Sequence, residues 1–294
     1  MPKNTVKLGL WFAFSAYFMW GLFPLYFKSL QTVPGLQILC HRIIWSALLL
    51  SVILAIQKDV SWVAALKADK KKMALFFGSA VMISTNWGIY IWAVNDNHVI
   101  EASLGYFIQP LFNVLLGCIF FHEKLSKLHL VAFSCAIVGV LWLTFLLGHL
   151  PWRALGIAAS FGFYGLLRKK VNFPAVAGLA IETYLLLPFA LLGLVWYGHL
   201  GQNVFMTAER DVQLLLLGCG VVTTIPLLLF AGGLKRLDLT TMGLMQYITP
   251  TLQFLLGWLV FKEAFDGLRF IGYAWIWLGL GIYTLGLLVK NYQK

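Results

Sequence analysis

From Leu8 to Phe27 the chain runs for 20 residues without a charged side chain, and apolar runs of this kind recur along its length. A hydrocarbon core about 30 Å thick is crossed by roughly 20 helical residues. Inside hydrocarbon every backbone N–H and C=O must find a partner within the protein, so long apolar runs become helices. Short polar breaks divide the chain into ten runs, near 8–27, 34–56, 73–94, 101–121, 128–148, 152–168, 174–198, 212–232, 239–261 and 270–289. The sixth is the weakest, with Ser160, Gly162 and Gly165 inside it. Composition points the same way. The chain is 61% apolar and 11% charged, whereas soluble domains run near half apolar and about a quarter charged. This excludes a water-soluble fold, a disordered chain and a disulfide-rich secreted domain. The expected fold class is an all-α membrane protein with ten transmembrane helices.

The first run follows Lys3 and Lys7, as a signal peptide would. It is too long for an h-region and lacks an A-x-A cleavage site, so it is read as the first span. Cys40, Cys118, Cys135 and Cys219 lie in apolar stretches without metal-like spacing and are expected to be packed thiols.

The formal net charge is +11, which in a soluble chain would suggest nucleic acid. In a membrane chain the position of each base carries the information. With the N-terminus inside, the inner segments hold 16 of the 22 Lys and Arg residues and the outer loops hold 5 (Lys28, Arg153, Arg210, Lys262, Arg269), with Arg42 inside a span. A missed span would reverse every later loop and destroy the bias. The bias therefore predicts ten spans with both termini cytoplasmic and leaves no role for nucleic acid.

The halves resemble each other at a fixed offset. Pro110 and Pro250 are 140 residues apart, as are Gly117 and Gly257, Glu123 and Glu263, and Pro34 and Pro174. The expected domains are therefore 1–148, a first repeat of spans one to five, and 149–294, a second repeat of spans six to ten. Five is odd, so the second repeat enters the membrane with opposite orientation. Inverted repeats are a frequent design of secondary transporters, with the substrate site near the midplane between the copies.

Polar groups inside spans are costly unless they meet a partner or a wet cavity. Arg42 and Glu182 share the 140-residue offset and would lie on opposite sides of the midplane. Arg42 is expected to take an anionic substrate group, and Glu182 a cation or coupling proton. In the alternative Arg42 snorkels outward and Glu182 pairs locally; whether the two pair or gate opposite sides stays open. Asn86, Trp87 and Tyr90 of span three and Ser103, Tyr106, Gln109 and Asn113 of span four form a second polar set, mirrored by Gln246 and Tyr247 of span nine. Aromatic walls with a few amides suit a small, partly apolar ligand. The alternative is interhelical hydrogen bonding alone. Trp20 and Tyr164 are placed at the same cavity. Pro110 and Pro250 remove helix hydrogen bonds and are candidate hinges. No catalytic motif, metal-ligand spacing or cofactor signature occurs, so no enzyme activity, metal or cofactor is expected.

The segments AYFMWGLFPLYFK (16–28), HRIIWS (41–46), NWGIYIWAVNDNHVIEASLGYFIQPLFNVLLG (86–117), FYGLLRKK (163–170) and the ET pair at 182–183 resemble the EamA-type drug/metabolite transporters, and within them the RarD subgroup. The resemblance covers nearly the whole chain. Where members usually read FINPL this chain reads FIQPL at 107–111, so Gln109 is expected to alter ligand preference. The resemblance implies ten helices, two EamA repeats and export of small metabolites or drugs across the bacterial inner membrane. The expected partners are a small-molecule substrate, the lipid bilayer and protons, with the protein a monomer or homodimer. A lipid or carrier-lipid translocase is the alternative, and it would need a wide lateral opening between spans.

Overall fold

The computed structural model describes residues 3–58, 60–67, 69–95, 99–262 and 267–292. Among these residues the chain forms helices and turns only. The long columns are α1 (Lys3–Gly21), α2 (Gly35–Gln57), α3 (Lys70–Asn95), α4 (Val99–Phe121) and α5 (Lys127–Leu147). They continue as α6 (Trp152–Val171), α7 (Ala175–His199), α8 (Arg210–Leu234), a three-piece α9 and α10 (Gly267–Tyr292). The pieces of α9 are Leu239–Met245, Ile248–Leu255 and a π-helical turn, Leu256–Val260. Short helices at Phe23–Lys28, Ser61–Lys67 and Val204–Thr207 lie in the connections.

Among the described residues six stretches are long and apolar enough to cross a bilayer: 4–28, 35–57, 104–121, 127–147, 175–199 and 210–234. The other four columns coincide with expected spans but have visible reasons to fall short. The α3 column opens on Lys70, Lys71 and Lys72 and carries Ser84, Thr85 and Asn86. Gly156, Ser160, Gly162 and Gly165 dilute α6, whose last turn carries Arg168, Lys169 and Lys170. The α9 column is interrupted, and α10 ends in side chains outside the described set.

The interior is mainly apolar, and so is the outer surface, with a few polar side chains buried within. Phe145 and Phe189 are 75% and 73% exposed, while Gln37 and Ser79 are fully buried and Glu182 is 2% exposed. Apolar side chains outside and paired polar ones inside are what a hydrocarbon solvent selects.

The columns pack in a defined set of pairs. The α5 column packs on α10, α6 on both α3 and α4, and α8 on both α1 and α2. In addition α2 meets α7, α3 meets α7, α4 meets the first piece of α9, and α1 meets its second piece. Glycines permit the tightest approaches. A Cβ at Gly139 of α5 would stand 2.5 Å from the Gly272 carbonyl oxygen of α10, and one at Gly220 of α8 would stand 2.5 Å from the Trp45 carbonyl carbon of α2. Pro34 and Pro174 start α2 and α7 as N-caps with near-identical backbone angles (φ −55°, ψ 133° and φ −52°, ψ 134°).

The bundle has two distinct ends. At one, Glu123 at the exit of α4, Lys169 at the exit of α6 and the start of α9 come together. Gly9 of α1 lies there against Arg236 and Leu237. At the opposite end, Gln37 of α2 donates to the Gln202 carbonyl at 2.7 Å and accepts from the Val204 N–H at 3.0 Å. Trp142 near the end of α5 donates there to the Leu268 carbonyl at 2.7 Å. Arg168, Lys169, Lys170, Lys235 and Arg236 thus gather at the first end, in line with the charge bias of the loops.

Candidate functional site

A cavity of about 730 Å³ opens inside the bundle, lined by residues from both halves of the sequence. That volume lies in the range of small-molecule sites. Its walls come from the end of α1, the connection through Phe27 and Pro34, and α2, α3, α4, α6, α8 and α9. The loop from Gln31 to Gly35 lines it next to Gln37, whose bonds to Gln202 and Val204 lie at the second, less basic end.

Among the residues expected at such a site, Trp20, Arg42, Asn86, Trp87, Tyr90, Tyr106, Gln109 and Gln246 line this cavity, as does Pro250. Others fall elsewhere. Asn113 is buried behind the wall and donates from Nδ2 to Gln246 Oε1 at 2.8 Å, fixing the amide that faces the cavity. Tyr247 is 1% exposed and packs into the core around α4, α5 and α10. Tyr164 stacks on Phe230 (6.2 Å, 14°) and lines a smaller, separate cavity. Ser103 lies on α4, but its side chain falls outside the described residues.

The two matched prolines are not structurally equivalent. Pro110 sits inside the continuous α4, and its carbonyl oxygen would stand 2.8 Å from a Cβ at Gly243 of α9. Pro250 sits in the first turn of the middle piece of α9, where helix N–H groups lack intrahelical acceptors anyway. The break in α9 precedes it, at Gln246 and Tyr247.

Arg42 is held through its neighbours. Its Nε donates to Thr223 Oγ1 at 3.0 Å, and its guanidinium lies 4.8 Å from the Trp87 ring centre and 5.6 Å from that of Phe27. Asn86 donates from Nδ2 to the Ile157 carbonyl at 2.8 Å and to Ser160 Oγ at 3.3 Å. Tyr90 and Tyr106 pack as a tilted ring pair 6.0 Å apart.

Glu182 is the centre of a second, closed network. It accepts from Ser79 Oγ at 2.5 Å and from the Tyr164 hydroxyl at 3.4 Å, and Arg168 Nε lies 3.6 Å from its Oε1. That separation is ion-pair contact without a direct hydrogen bond. Both charged side chains are almost fully buried. A cavity of about 20 Å³, room for about one water, separates Glu182 from Arg42, and Ser46, Thr183, Thr223 and Thr224 also line it. Arg42 and Glu182 therefore face one small chamber from two sides, and the ion pair of Glu182 is with Arg168.

In the sequence Arg168 stands in a run with Lys169 and Lys170 that reads as part of an inner basic loop. The repeat register held one signal: Arg168 follows Lys28 by the same 140 residues that separate Glu182 from Arg42. An unlike pair in one half thus stands where the other half has two cations. Nothing in the sequence marks Ser79 or Thr223, because a hydroxyl in an apolar helix usually bonds to its own backbone.

The basic end is tied by Glu123. Its Oε1 accepts from the Leu239 N–H and its Oε2 from the Thr240 N–H, both at 2.7 Å. Lys169 Nζ lies 3.5 Å from the same carboxylate and donates to the Leu237 carbonyl at 2.7 Å. Asp238 caps the same turn, accepting from the Thr241 N–H at 2.6 Å. Two carboxylates thus meet the positive end of α9. Among the described residues no group of three His, Cys, Asp or Glu side chains could hold a metal ion.

Comparison with known proteins adds to this geometry. The model of the EamA-like transporter family matches residues 7–145 and 152–285. A protein of Vibrio cholerae serotype O1 named as an uncharacterized transporter is 43% identical over 96% of this chain and 94% of its own length. Protein RarD of Escherichia coli strain K12 is 42% identical over 97% of this chain and 96% of its own. A chloramphenicol-sensitive protein RarD of Pseudomonas aeruginosa is 32% identical over 92% of both. A solved crystal structure of a protein shares the fold, with a TM-score of 0.71 over 97% of this chain and 99% of that one, at 18% identity.

Proposed function

Because the chain belongs to the EamA-like transporter family, on its RarD branch, we propose that this multi-pass membrane transporter exports small metabolites or drugs by alternating access. Its relatives are named as transporters, and no enzyme activity is assigned to it.

The observation that carries the reading is the cavity of about 730 Å³, lined by Arg42, Asn86 and Gln109 from the first half and Gln246, Thr249 and Gln253 from the second. A site between two halves is accessible from either end if the halves rock against each other. Here it is lined by the loop at the second end, while the Glu123 and Glu182 networks lie toward the basic end. The charge bias makes the basic end cytoplasmic, so this arrangement is read as outward-facing, in a bacterial inner membrane with both termini inside.

Ten spans in two inverted repeats, 1–148 and 149–294, are part of the proposal. The packing supports it. If α1–α5 are exchanged with α6–α10, the pair α3·α6 becomes α8·α1, α4·α6 becomes α9·α1 and α2·α8 becomes α7·α3. The pairs α2·α7, α4·α9 and α5·α10 map onto themselves, and all of these contacts occur. Glu182 is the proposed coupling carboxylate: it is buried, it faces the chamber shared with Arg42, and its partners lie on α3 and α6, which pack on each other.

The test is flux in proteoliposomes with an imposed pH gradient, using a panel of amino acids, chloramphenicol and aryl carboxylates such as hydrocinnamate. Saturable, gradient-driven flux of at least one compound is the expected result. Folded, reconstituted protein that moves none of them would overturn the export reading.

A further inference from the structure

Two guanidinium groups lie deep in this bundle, and they are treated differently. Arg168 faces the carboxylate of Glu182 at 3.6 Å. Arg42 has no carboxylate partner among the described residues; it has one hydrogen bond, to Thr223, and two aromatic faces. A cation in a low-dielectric site without its counter-ion is expensive to keep. The guanidinium lies against the Trp87 and Phe27 rings, and Thr223 occupies Nε. Among the described residues the Nη groups have no hydrogen-bond partner. A planar fork held in this way suits an oxyanion taken in two parallel N–H···O bonds.

The rest of the lining sharpens the point. Among the described residues around the large cavity, Arg42 carries the only formal charge. No carboxylate there could receive an ammonium group, and the other polar lining groups are amides and hydroxyls. Beyond Arg42 the wall is aromatic, with Trp20 and the Tyr90–Tyr106 pair, which suits a planar apolar body.

We infer that the cavity selects amphipathic monoanions, with one carboxylate-like group on Arg42 and an aryl body against Trp20, Tyr90 and Tyr106, over zwitterions, cations and neutral analogues of the same shape. This rests on the reading of the cavity as the transport site.

The test uses four probes that share one phenyl ring and a short chain: hydrocinnamate, phenylalanine, phenethylamine and hydrocinnamyl alcohol. Binding to the purified full chain is read from quenching of tryptophan fluorescence and from thermal stabilisation. Hydrocinnamate is expected to bind at least about tenfold more tightly than the other three: the amine and the alcohol bring no oxyanion to Arg42, and phenylalanine brings with its carboxylate an ammonium for which the lining holds no carboxylate. Arg42→Gln is expected to erase the preference, and Arg42→Lys to keep part of it. The comparison of probes on the unaltered chain stands even if Arg42→Gln does not fold. Equal affinities, tighter binding of the zwitterion or amine, binding of none of the four, or a preference that survives in folded Arg42→Gln would each overturn the inference. Anion-selective binding without counterflow of hydrocinnamate in proteoliposomes would keep the site and remove the transport reading. Flux of neutral or zwitterionic compounds independent of Arg42 would keep the transporter and remove the selectivity.

Discussion

Glu182 and Arg168 show how a buried charge is tolerated at the scale of one residue. Each is nearly inaccessible, each faces the other at 3.6 Å, and Ser79 and Tyr164 supply the hydrogen bonds the carboxylate needs. A buried pair adds little net stability as a pair, yet breaking it from one side leaves an uncompensated charge. Arg168→Gln is therefore expected to destabilise the protein by about 3–5 kcal/mol, whereas Arg168→Leu combined with Glu182→Leu is expected to cost less than either leucine substitution alone. Equilibrium unfolding in detergent measures both, and additive losses would show that the two side chains are not coupled. Glu182→Gln keeps the shape and the acceptor for Ser79 but cannot exchange a proton. Flux through this variant is expected to be insensitive to an imposed pH gradient while the fold stays intact; a retained gradient response would remove Glu182 from coupling.

Among the elements, α9 carries the most consequence for its size. It is interrupted at Gln246 and Tyr247, which brings the Gln246 amide to the cavity against Asn113 of α4. Its first turn is anchored by Glu123, a residue 116 positions earlier that accepts from the Leu239 and Thr240 N–H groups. Glu123→Ala removes an acceptor from two N–H groups and a counter-ion from Lys169. A loss of roughly 1–3 kcal/mol is expected, together with faster thiol labelling of a cysteine placed at Thr240. Unchanged stability and labelling would show the cap to be incidental. The α5·α10 seam tests packing. Gly139→Leu cannot be fitted where a Cβ already meets the Gly272 carbonyl oxygen at 2.5 Å, whereas a Cβ at Gly88 meets nothing within 4 Å. Gly139→Leu is expected to lower the unfolding temperature strongly and Gly88→Ala to leave it nearly unchanged, since filling a closed seam separates the helices.

The whole molecule is a bundle whose two ends differ in charge and in closure. In a variant lacking the four native cysteines, a cysteine at Ser126 is expected to react only with reagent admitted to the cytoplasm, and one at His149 only with reagent outside. The reverse pattern would invert the orientation and make the cavity inward-facing. Much of this scale was legible in the sequence, because hydrocarbon leaves the backbone few choices. The positions of the helices, the loop charge bias and the 140-residue register follow from one-dimensional constraints of length, charge and repetition. The polar set of spans three, four and nine also includes Asn86, Tyr90, Tyr106, Gln109 and Gln246, which line the cavity. What the set could not tell was depth. Asn113 and Tyr247 belong to it yet are buried away from the lining, because the polarity of a side chain within a span does not tell how closely the next helix approaches. The partner of Glu182 was also hidden: Arg168 reads as one more base in a cytoplasmic run, and only the close crossing of α3, α6 and α7 carries it inward to the carboxylate. The sequence by itself determined which segments are helical and apolar and how they repeat, since those properties belong to single segments and their solvent. Only the tertiary structure decided which charges are paired, where α9 breaks and which residues share a cavity, since each depends on two or more helices meeting at distances no single segment encodes.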